Sequence, residues 1–521
     1  MRLPYSRPRD DEDFREPPDL DEEPIQFRGS HRRARPVPQP FPMMRVSVIV
    51  LAVAVISAAA GAGMVFVARA PGVTKGAPAE ISTAEVPLAA STAPSQIAET
   101  QSFVPTTPPA ATTGLAANPA PSPHAPVNGG EAPKTDVATA DIGSVSPAVQ
   151  GVTDAEIRFG IAAPFAGPAK EMGRQLKLGI DTAFAAANDN GGINGRQLKL
   201  VAADDGYEPT RTLDAMKELY EKNQVFGFID NYGSPTAQVS IPYALKQHAI
   251  FFGAFSGANS LRRDPPDRYV FNFRAGYAEE ADAVVRYLVK VRGVLPEQIA
   301  VLTQQDAYGD AGMDGVMKAI RAMRGGNSSR ILRMTYNRNT VNVDDAVALL
   351  RRQKTPIKAV VLVATFRPAA KFIEKTRDLF PQMIYATISG VGTTGLADEL
   401  KLLGPRFSNG VIVTQVVPAV DSYASVSLVY KNALARYFPG EAPDYTSLES
   451  YLTANVLIEG LRRAGPQLDT ETLVTTLEGM RDLDLGLGTP LSFGPAQHQA
   501  LHKVWGTQLD RNAQYHSFDL Q

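Results

Sequence analysis

The chain has 521 residues, 44% of them hydrophobic, so it can build more than one core, although its 40 prolines are unevenly spread. Its 52 basic and 54 acidic residues give a formal net charge of −2, which excludes a global positive field that would attract nucleic acid. Cysteine is absent, which excludes disulfides, thiolate metal sites, a cysteine nucleophile and a lipid-modified N-terminal cysteine.

The first 45 residues combine an acidic run with basic and proline-rich stretches. They hold too few apolar side chains to form a core, so we expect residues 1–45 to be a disordered cytoplasmic tail.

A segment without charge follows at 46–68, VSVIVLAVAVISAAAGAGMVFVA. About 20 apolar residues rising 1.5 Å each suffice to cross the hydrocarbon of a bilayer, so this segment predicts one transmembrane helix.

Basic residues lie mainly before this segment, which places the N-terminus in the cytoplasm and the bulk of the chain outside it. The alternative is a cleaved signal peptide with Ala68-Arg69-Ala70 as its cleavage site, but Pro71 and the long leader favour an uncleaved anchor. Residues 69–153 are dominated by Ala, Pro, Thr and Ser, which predicts an extended tether between the membrane and the next domain.

Strand and helix patterns alternate from residue 154 to the C-terminus. Alternation of this kind predicts an α/β fold whose parallel sheets are covered by helices on both faces. Roughly 370 residues exceed one typical α/β layer, so two lobes are expected. The predicted strands are IRFGIAA (157–163), LKLVAAD (198–204), VFGFID (225–230), AIFFGAF (249–255), IAVLTQ (299–304), AVVLVAT (359–365) and GVIVTQV (410–416).

The turn NDNGGINGR at 188–196 ends the first predicted helix and leads into the strand at Leu198. Asp204 and Asp205 stand at the C-terminal end of that strand, the edge of an open parallel sheet where ligands bind. Two interpretations remain for this pair: a ligand contact, or a cap for the helix that begins near Pro209.

Several runs together resemble the leucine/isoleucine/valine-binding proteins, the type I periplasmic substrate-binding proteins of ABC transporters. They are IRFGIAAPFAGPAKEMGRQLKLGIDTAFAAANDNGGINGRQLKLVAADDGYEP, NYGSPTAQVSIPYALKQHAIFFGAFSGANSLRR, YVFNFRAGYAEEADAVVRYLV, DAYGDAGMDGV and PLSFGPAQHQALHKVW. The resemblance covers nearly all of 154–521 and implies two doubly wound lobes, joined by three hinge strands, that close on a small molecule. It also implies a periplasmic domain, held here at the inner membrane by the predicted anchor.

The resemblance implies where the lobes divide. One lobe is expected to combine about 154–273 with 410–490, and the other about 274–409 with 491–521.

The resemblance also implies a set of ligand contacts. Ser234 matches the serine that holds a ligand carboxylate at a helix N-terminus, where free N–H groups also bind anions. Ala254 and Ser256 match the loop that completes this clamp. Met172 stands where the family often has an aromatic wall residue.

In the second lobe, Glu279 takes the place of an acid that meets the ligand ammonium, and Tyr277 precedes it near the first hinge. Tyr308 and Phe366 match aromatic pocket residues. Ser389 stands where amino-acid-binding members tend to carry a second ammonium-binding acid. A buried ammonium with one partner fewer loses electrostatic stabilisation, so an amide or small carboxylate is at least as well suited as an aliphatic amino acid.

Motifs for enzymes and cofactors are missing from the chain, which has no G-x-S-x-G elbow, Walker phosphate loop or H-E-x-x-H sequence. We expect no catalytic activity, no cofactor and no metal. His498 and His502 lie in a hairpin-like stretch that favours no metal site. Asp306, Asp310 and Asp314 lack the alternate spacing of a calcium loop and are expected at a helix start.

Two functional hypotheses follow. The first is a membrane-anchored solute-binding protein that delivers a small molecule to an ABC permease. The second is an envelope regulatory or sensory protein that uses the same fold to bind a protein partner, for example in cell-wall assembly. Neither hypothesis includes nucleic acid.

Overall fold

The computed structural model describes residues 149–323 and 331–520. The predicted cytoplasmic tail, the predicted membrane helix at 46–68 and the predicted tether up to residue 148 lie outside these residues. Within the two described ranges, no helix combines the length and hydropathy needed to cross a membrane. The tether was expected to end at residue 153, but contact with the folded domain begins before that position. The Gln150 side chain donates to the carbonyls of Tyr220 and Val225 at 3.0 and 3.1 Å.

The first lobe is built on a five-stranded parallel sheet with the strand order β2-β1-β3-β4-β5. This order is that of a doubly wound sheet, in which neighbouring strands are joined by crossover helices. The strands are β1 (Glu156–Ala163), β2 (Gln197–Asp204), β3 (Gly227–Ile229), β4 (Ile250–Phe252) and β5 (Val270–Phe271).

The second lobe is built on a seven-stranded sheet with the order β12-β11-β10-β9-β8-β6-β7. Five of its strands, β10, β9, β8, β6 and β7, are parallel. Strands β11 and β12 add an antiparallel edge that the sequence pattern did not predict. The strands are β6 (Ile299–Gln304), β7 (Leu332–Tyr336), β8 (Ala359–Val363), β9 (Ile384–Thr387), β10 (Ile412–Gln415), β11 (Trp505–Leu509) and β12 (Tyr515–Phe518).

Twelve α-helices in the described ranges cover the faces of the two sheets. The helices are α1 (Lys170–Asp189), α2 (Pro209–Lys217), α3 (Ser234–Lys246), α4 (Tyr277–Arg286), α5 (Ala307–Ala322), α6 (Asp344–Arg351), α7 (Phe366–Arg377), α8 (Thr393–Leu403), α9 (Pro405–Ser408), α10 (Ser425–Tyr437), α11 (Tyr445–Ala464) and α12 (Thr470–Glu478). Helix α1 has the predicted apolar stripe, and it packs against α11 on one face of the first sheet.

The predicted turn after α1 forms as expected. The helix ends at Asp189, and Gly191, Gly192 and Gly195 all have positive φ angles, of 89°, 72° and 82°. Asn188 holds the turn against the next strand, because its side chain exchanges two hydrogen bonds with the backbone of Leu198. The Gly/Asn cluster therefore sets the register of β2 beside β1.

The chain passes between the two sheets three times. The first and third passages lie side by side, since Asn272 N–H donates to the carbonyl of His498 and Ala500 N–H donates to that of Asn272, at 2.7 and 2.9 Å. The second passage follows β10, which pairs with β9 and β11 in the seven-stranded sheet. The return to the first lobe therefore comes after Gln415, later than the expected position 410.

Candidate functional site

A cleft lies where the carboxyl ends of the strands in both sheets face each other, the position at which open parallel sheets bind ligands. Its walls touch, and the cavity between them measures about 10 Å3, room for roughly one water molecule. The cleft is thus closed in this structure. Its lining residues come from both lobes and are Tyr207, Tyr232, Gly233, Ser234, Phe255, Tyr277, Tyr308 and Gly390.

Aromatic rings form most of the cleft wall. In the first lobe, Tyr232 stacks on Phe255 with ring centroids 5.9 Å apart and meets Tyr207 edge-on at 4.8 Å. In the second lobe, Tyr277 and Tyr308 lie 5.4 Å apart. Burial raises the pKa of Tyr232 and Tyr308 well above the usual value, so their hydroxyls stay protonated. The wall therefore combines apolar faces with neutral hydroxyl donors.

Two glycines let these walls approach. Gly233 has φ 98°, and a Cβ there would lie 2.4 Å from a ring carbon of Tyr207. A Cβ on Gly390 would lie 2.9 Å from the hydroxyl of Tyr277 and 3.2 Å from that of Tyr308. Both positions therefore require glycine in the closed cleft.

Ser234 begins helix α3 and is buried, as are its neighbours in the predicted clamp. The hydroxyls of Ser234 and Ser256 are 2.8 Å apart, and Ser256 also accepts a hydrogen bond from Ala258 N–H. Ala254 instead packs in the hydrophobic cluster beneath the sheet and does not line the cleft. The structure thus brings Ser234 and Ser256 together but points the Ala254 methyl group elsewhere.

Met172 and Phe366 meet across the two lobes beside the cleft. A Cβ on Gly392 would lie 2.7 Å from the Met172 sulfur and 3.3 Å from the Phe366 ring, so both side chains contact the same glycine. Neither residue lines the cavity itself. They lie near the cleft without forming its wall.

Glu279 points away from the cleft. Its carboxylate accepts hydrogen bonds from Gly276 N–H at 2.6 Å and Gln499 at 2.8 Å, and it pairs with His502 at 2.7 Å. Burial raises the pKa of Glu279, but the contacts with His502 and Gly276 outweigh burial and hold the pKa below its usual value. Glu279 lines a separate groove of about 950 Å3 beside Trp505, so the structure does not support its predicted meeting with a ligand ammonium.

The neighbouring acid, Glu280, is fully buried between the lobes instead. It accepts hydrogen bonds from the N–H and hydroxyl of Ser389 at 2.8 and 3.0 Å, and from the hydroxyl of Thr414. Arg274 lies 3.3 Å from Glu280 and also donates to the Ser389 hydroxyl. Ser389, expected near a ligand ammonium, is therefore part of a buried ion-pair network.

Two further acids from the first lobe lie next to this network. Glu449 of α11 is 3.4 Å from the Arg274 guanidinium, and burial raises its pKa to about 7 despite the opposing effect of Arg274. Asp230 is fully buried, and burial raises its pKa well above the usual value although the Ser450 hydroxyl opposes this shift. Arg274 thus pairs with two buried acids, Glu280 and Glu449, and lies near a third, Asp230.

The other acids and histidines considered in the sequence have structural contacts. Asp204 accepts from the N–H groups of Phe165 and Ala166, and Asp205 accepts from Tyr207 N–H and Thr212. They fix loops, and neither caps α2, whose N-cap position is Glu208. The capping interpretation was therefore wrong, and neither aspartate lines the cleft.

Asp306 caps α5 by accepting from Tyr308 N–H at 3.0 Å, as the sequence predicted for a helix start. His498 is buried, stacks on Phe271 and contacts the carbonyl of Val270. Within residues 149–323 and 331–520, no cluster of three or more His, Asp or Glu side chains could hold a metal ion.

Polar contacts join the lobes at the mouth of the cleft. Glu208 of the first lobe pairs with Arg338 at 2.8 Å and accepts from the Asn339 side chain at 2.6 Å, and both partners follow β7 in the second lobe. Deeper in, the Gln304 side chain donates to the Tyr207 hydroxyl at 3.0 Å. These contacts form only while the lobes are closed.

Replacing Glu208 with alanine is expected to shift the lobes toward the open state. The lost contacts are partly exposed and should amount to about 1 kcal/mol, which raises the ratio of open to closed molecules roughly fivefold. Because the natural chain has no cysteine, fluorophores can be placed at Lys222→Cys and Lys354→Cys, one on each lobe, and the distance measured by single-molecule energy transfer.

The matched control is Asp378→Ala, which breaks an exposed ion pair with Arg406 inside the second lobe. An unchanged distance distribution in Glu208→Ala would show that these contacts do not hold the cleft closed.

Sequence reasoning missed part of this site. Tyr207, Tyr232, Phe255 and Gly390 were not assigned a role, and Glu279 was chosen in place of Glu280. The available signals were weak but real: Tyr207 follows the two aspartates at the end of β2, and Tyr232 directly precedes the Gly-Ser start of α3.

Comparisons with known proteins agree with this architecture. Residues 156–514 match the family model described as periplasmic binding protein. A Leu/Ile/Val-binding protein homolog of Brucella abortus is 42% identical over 322 residues, which are 61% of this chain and 81% of that protein. The Leu/Ile/Val-binding protein BraC3 of Rhizobium johnstonii is 26% identical over 340 residues, 64% of this chain and 86% of that protein.

Among solved structures, a possible leucine/isoleucine/valine-binding protein of Rhodopirellula baltica superposes with a TM-score of 0.67 at 35% identity. The match covers 72% of this chain and 98% of that one.

Proposed function

This chain belongs to the periplasmic binding protein family, and on that premise we propose that it is a membrane-anchored solute-binding protein. It captures a small organic molecule between its two lobes and presents the molecule to an ABC-type importer in the inner membrane. The segment 46–68 anchors it, and the proline-rich tether lets the domain reach the importer.

The position and composition of the cleft carry this proposal. Residues from both lobes meet at the carboxyl edges of their sheets, so closure of the lobes surrounds a ligand with Ser234, Tyr232, Tyr277 and Tyr308. The relatives named for leucine, isoleucine and valine support an amino acid or a molecule of similar size. A cavity of about 10 Å3 requires the rings to part before such a ligand enters.

The test is thermal melting of the full-length protein, purified in a mild detergent, against amino acids, amides, small carboxylates and aromatic acids. A ligand at a hundred times its dissociation constant stabilises the folded state by about 2.7 kcal/mol, which should raise the melting temperature by roughly 2 °C or more. Ser234→Ala should remove the shift, because Ser234 begins α3 at the cleft.

The control is Ser425→Ala, at the exposed start of α10, which should leave the shift intact. If no compound in the panel changes the melting temperature, small-molecule capture loses its support and a protein partner in the envelope becomes the hypothesis to test.

A further inference from the structure

Helix N-termini surround the cleft. Ser234 is the first residue of α3, Tyr277 is the first of α4 and Tyr308 is the second of α5, and all three line the cavity. A helix N-terminus carries a partial positive charge and N–H groups without intrahelical partners. Arg274 lies behind the wall, with its guanidinium 5.7 Å from the Tyr277 ring and 4.7 Å from the Phe255 ring, but its charge is already paired with Glu280 and Glu449. Two of these starts are already satisfied, because the Tyr277 N–H donates to the Gly257 carbonyl at 2.8 Å and the Asp306 carboxylate accepts from the Tyr308 N–H at 3.0 Å. The start of α3 is therefore the place in the closed cleft that favours an anion.

Donors without a partner face this space. Tyr232 is 3% exposed and lines the cavity, and within the described residues its hydroxyl makes no hydrogen bond. Helix α3 has no side-chain cap, so the N–H groups of its first turn, at Ser234 and Thr236, lack a capping acceptor. A carboxylate between Tyr232 and the start of α3 would supply that acceptor.

The acids around the cleft are already engaged. Glu279 pairs with His502, Glu280 is held by Arg274 and Ser389, and Asp306 pairs with Arg338 while it also accepts from Gln304. None of these carboxylates lines the cavity. An ammonium in the closed cleft would therefore have no carboxylate on the cavity wall with which to pair.

Asp230 is a further buried acid near the cleft, but it does not line the cavity. The charged groups that face it are Glu449 of α11 and Arg274. It belongs to the buried charge network beneath the sheet rather than to the cleft wall.

We propose that the ligand is a small monocarboxylate with an apolar body and no ammonium group. This inference rests on the proposed function, and it names the ligand class of the same cleft. The carboxylate accepts hydrogen bonds from the Tyr232 hydroxyl and from the first turn of α3. The apolar body lies against the rings of Phe255, Tyr277 and Tyr308, which offer carbon-rich surface and no charge.

The experiment compares molecules that differ only in the ammonium group. Binding of the full-length protein is measured by titration calorimetry with 4-methylpentanoate against L-leucine, and with 3-phenylpropanoate against L-phenylalanine. 3-Methylbutylamine and 2-phenylethylamine test the ammonium alone. At least one carboxylate should bind about 100-fold more tightly than its amino acid, because the ammonium of the amino acid has no buried partner.

Tyr232→Phe locates the carboxylate. The variant removes a hydroxyl that no described residue uses, so it should fold as the natural chain does. It should weaken binding of the carboxylate about tenfold, the effect of one hydrogen bond to a charged group. The control is Tyr385→Phe, a buried tyrosine whose hydroxyl contacts Thr376 away from the cleft, and it should leave the affinity unchanged.

The outcomes separate this inference from the proposed function. Equal or tighter binding of the amino acids overturns the inference but supports a solute receptor. In that case, loss of amino-acid binding in Asp230→Asn or Glu279→Gln would identify the acid that pairs with the ligand ammonium. If the protein binds only a compound of the melting panel that is not a monocarboxylate, the inference is likewise overturned and a solute receptor is still supported. Unchanged carboxylate affinity in Tyr232→Phe overturns the assigned contact. Absence of binding by every compound overturns the proposed function and the inference together.

Discussion

Replacing Arg274 with methionine is expected to lower the free energy of unfolding by about 3–5 kcal/mol at pH 7. The Arg274 side chain is 1% exposed and lies 3.3 Å from Glu280 and 3.4 Å from Glu449. Methionine fills similar space but removes the cation that pairs with the buried Glu280, and a buried charge that loses its partner costs far more than a lost surface pair.

The measurement is urea unfolding followed by fluorescence of Trp505, the only tryptophan in the chain. Arg406→Met serves as the control, because Arg406 makes an exposed ion pair with Asp378 and should change stability by less than about 0.5 kcal/mol. Equal stability of the two variants would contradict a central role for the Arg274 network.

A second variant keeps this prediction testable if Arg274→Met does not fold. Glu280→Gln removes the opposite charge and retains groups that can bond Ser389 and Thr414. In the double variant Arg274→Met/Glu280→Gln neither charge of this pair remains, so the variant should fold even if Arg274→Met alone does not. Where Arg274→Met does fold, the double variant should lose less stability than the sum of the two single losses. Simple additivity would show that Arg274 and Glu280 do not depend on each other.

The sequence was sufficient for the fold wherever a local pattern determined it. Largely apolar runs predicted β1 and β6 to within one residue, because a strand buried on most of both faces has few polar positions. Strands β5, β7 and β9 were missed, and so were β11 and β12 at the edge of the second sheet. The burial of β11 and β12 alternates or is incomplete at the sheet edge, so their sequences lack that pattern.

The site was harder to predict because it depends on side-chain direction. Glu279 and Glu280 are adjacent in sequence, but successive residues on a helix point about 100° apart. Glu280 therefore faces the buried network, whereas Glu279 turns outward to His502. A family resemblance locates the helix but not which of two adjacent acids faces the interior.

Contacts between lobes have no local signature at all. Tyr207 and Gln304 are 97 positions apart in sequence, and nothing in either neighbourhood indicates that they share a hydrogen bond. The same holds for Arg274 and Glu449, which come from different passages of the chain. These pairs follow from how the lobes close, which the order of strands and helices does not specify.

The buried network also predicts how stability depends on pH. Burial raises the pKa of Glu449 to about 7 from its usual 4.5, so the folded state holds a proton that the unfolded chain releases near pH 4.5. The resulting stabilisation is fully present below pH 4.5 and is lost as the pH rises through 7. Between pH 5 and pH 8 this group alone should lower the free energy of unfolding by roughly 2–3 kcal/mol.

Glu449→Gln isolates this contribution, because glutamine resembles the protonated acid and cannot ionise. Its stability relative to the natural chain, measured by urea unfolding at both pH values, should improve by roughly 2–3 kcal/mol from pH 5 to pH 8. Any packing cost of the substitution is the same at both pH values and cancels. Asp205, whose pKa burial raises to about 6, is present in both proteins and cancels as well.

The control is Glu459→Gln on the same helix, where the acid pairs with Arg463 at the surface. Its relative stability should stay nearly constant with pH. If Glu449→Gln behaves in the same way, Glu449 is already ionised at pH 5 in the folded protein, and Arg274 then stabilises its charge more strongly than burial opposes it. Such a result would make the network a fully ionised cluster and would strengthen the expected effect of removing Arg274.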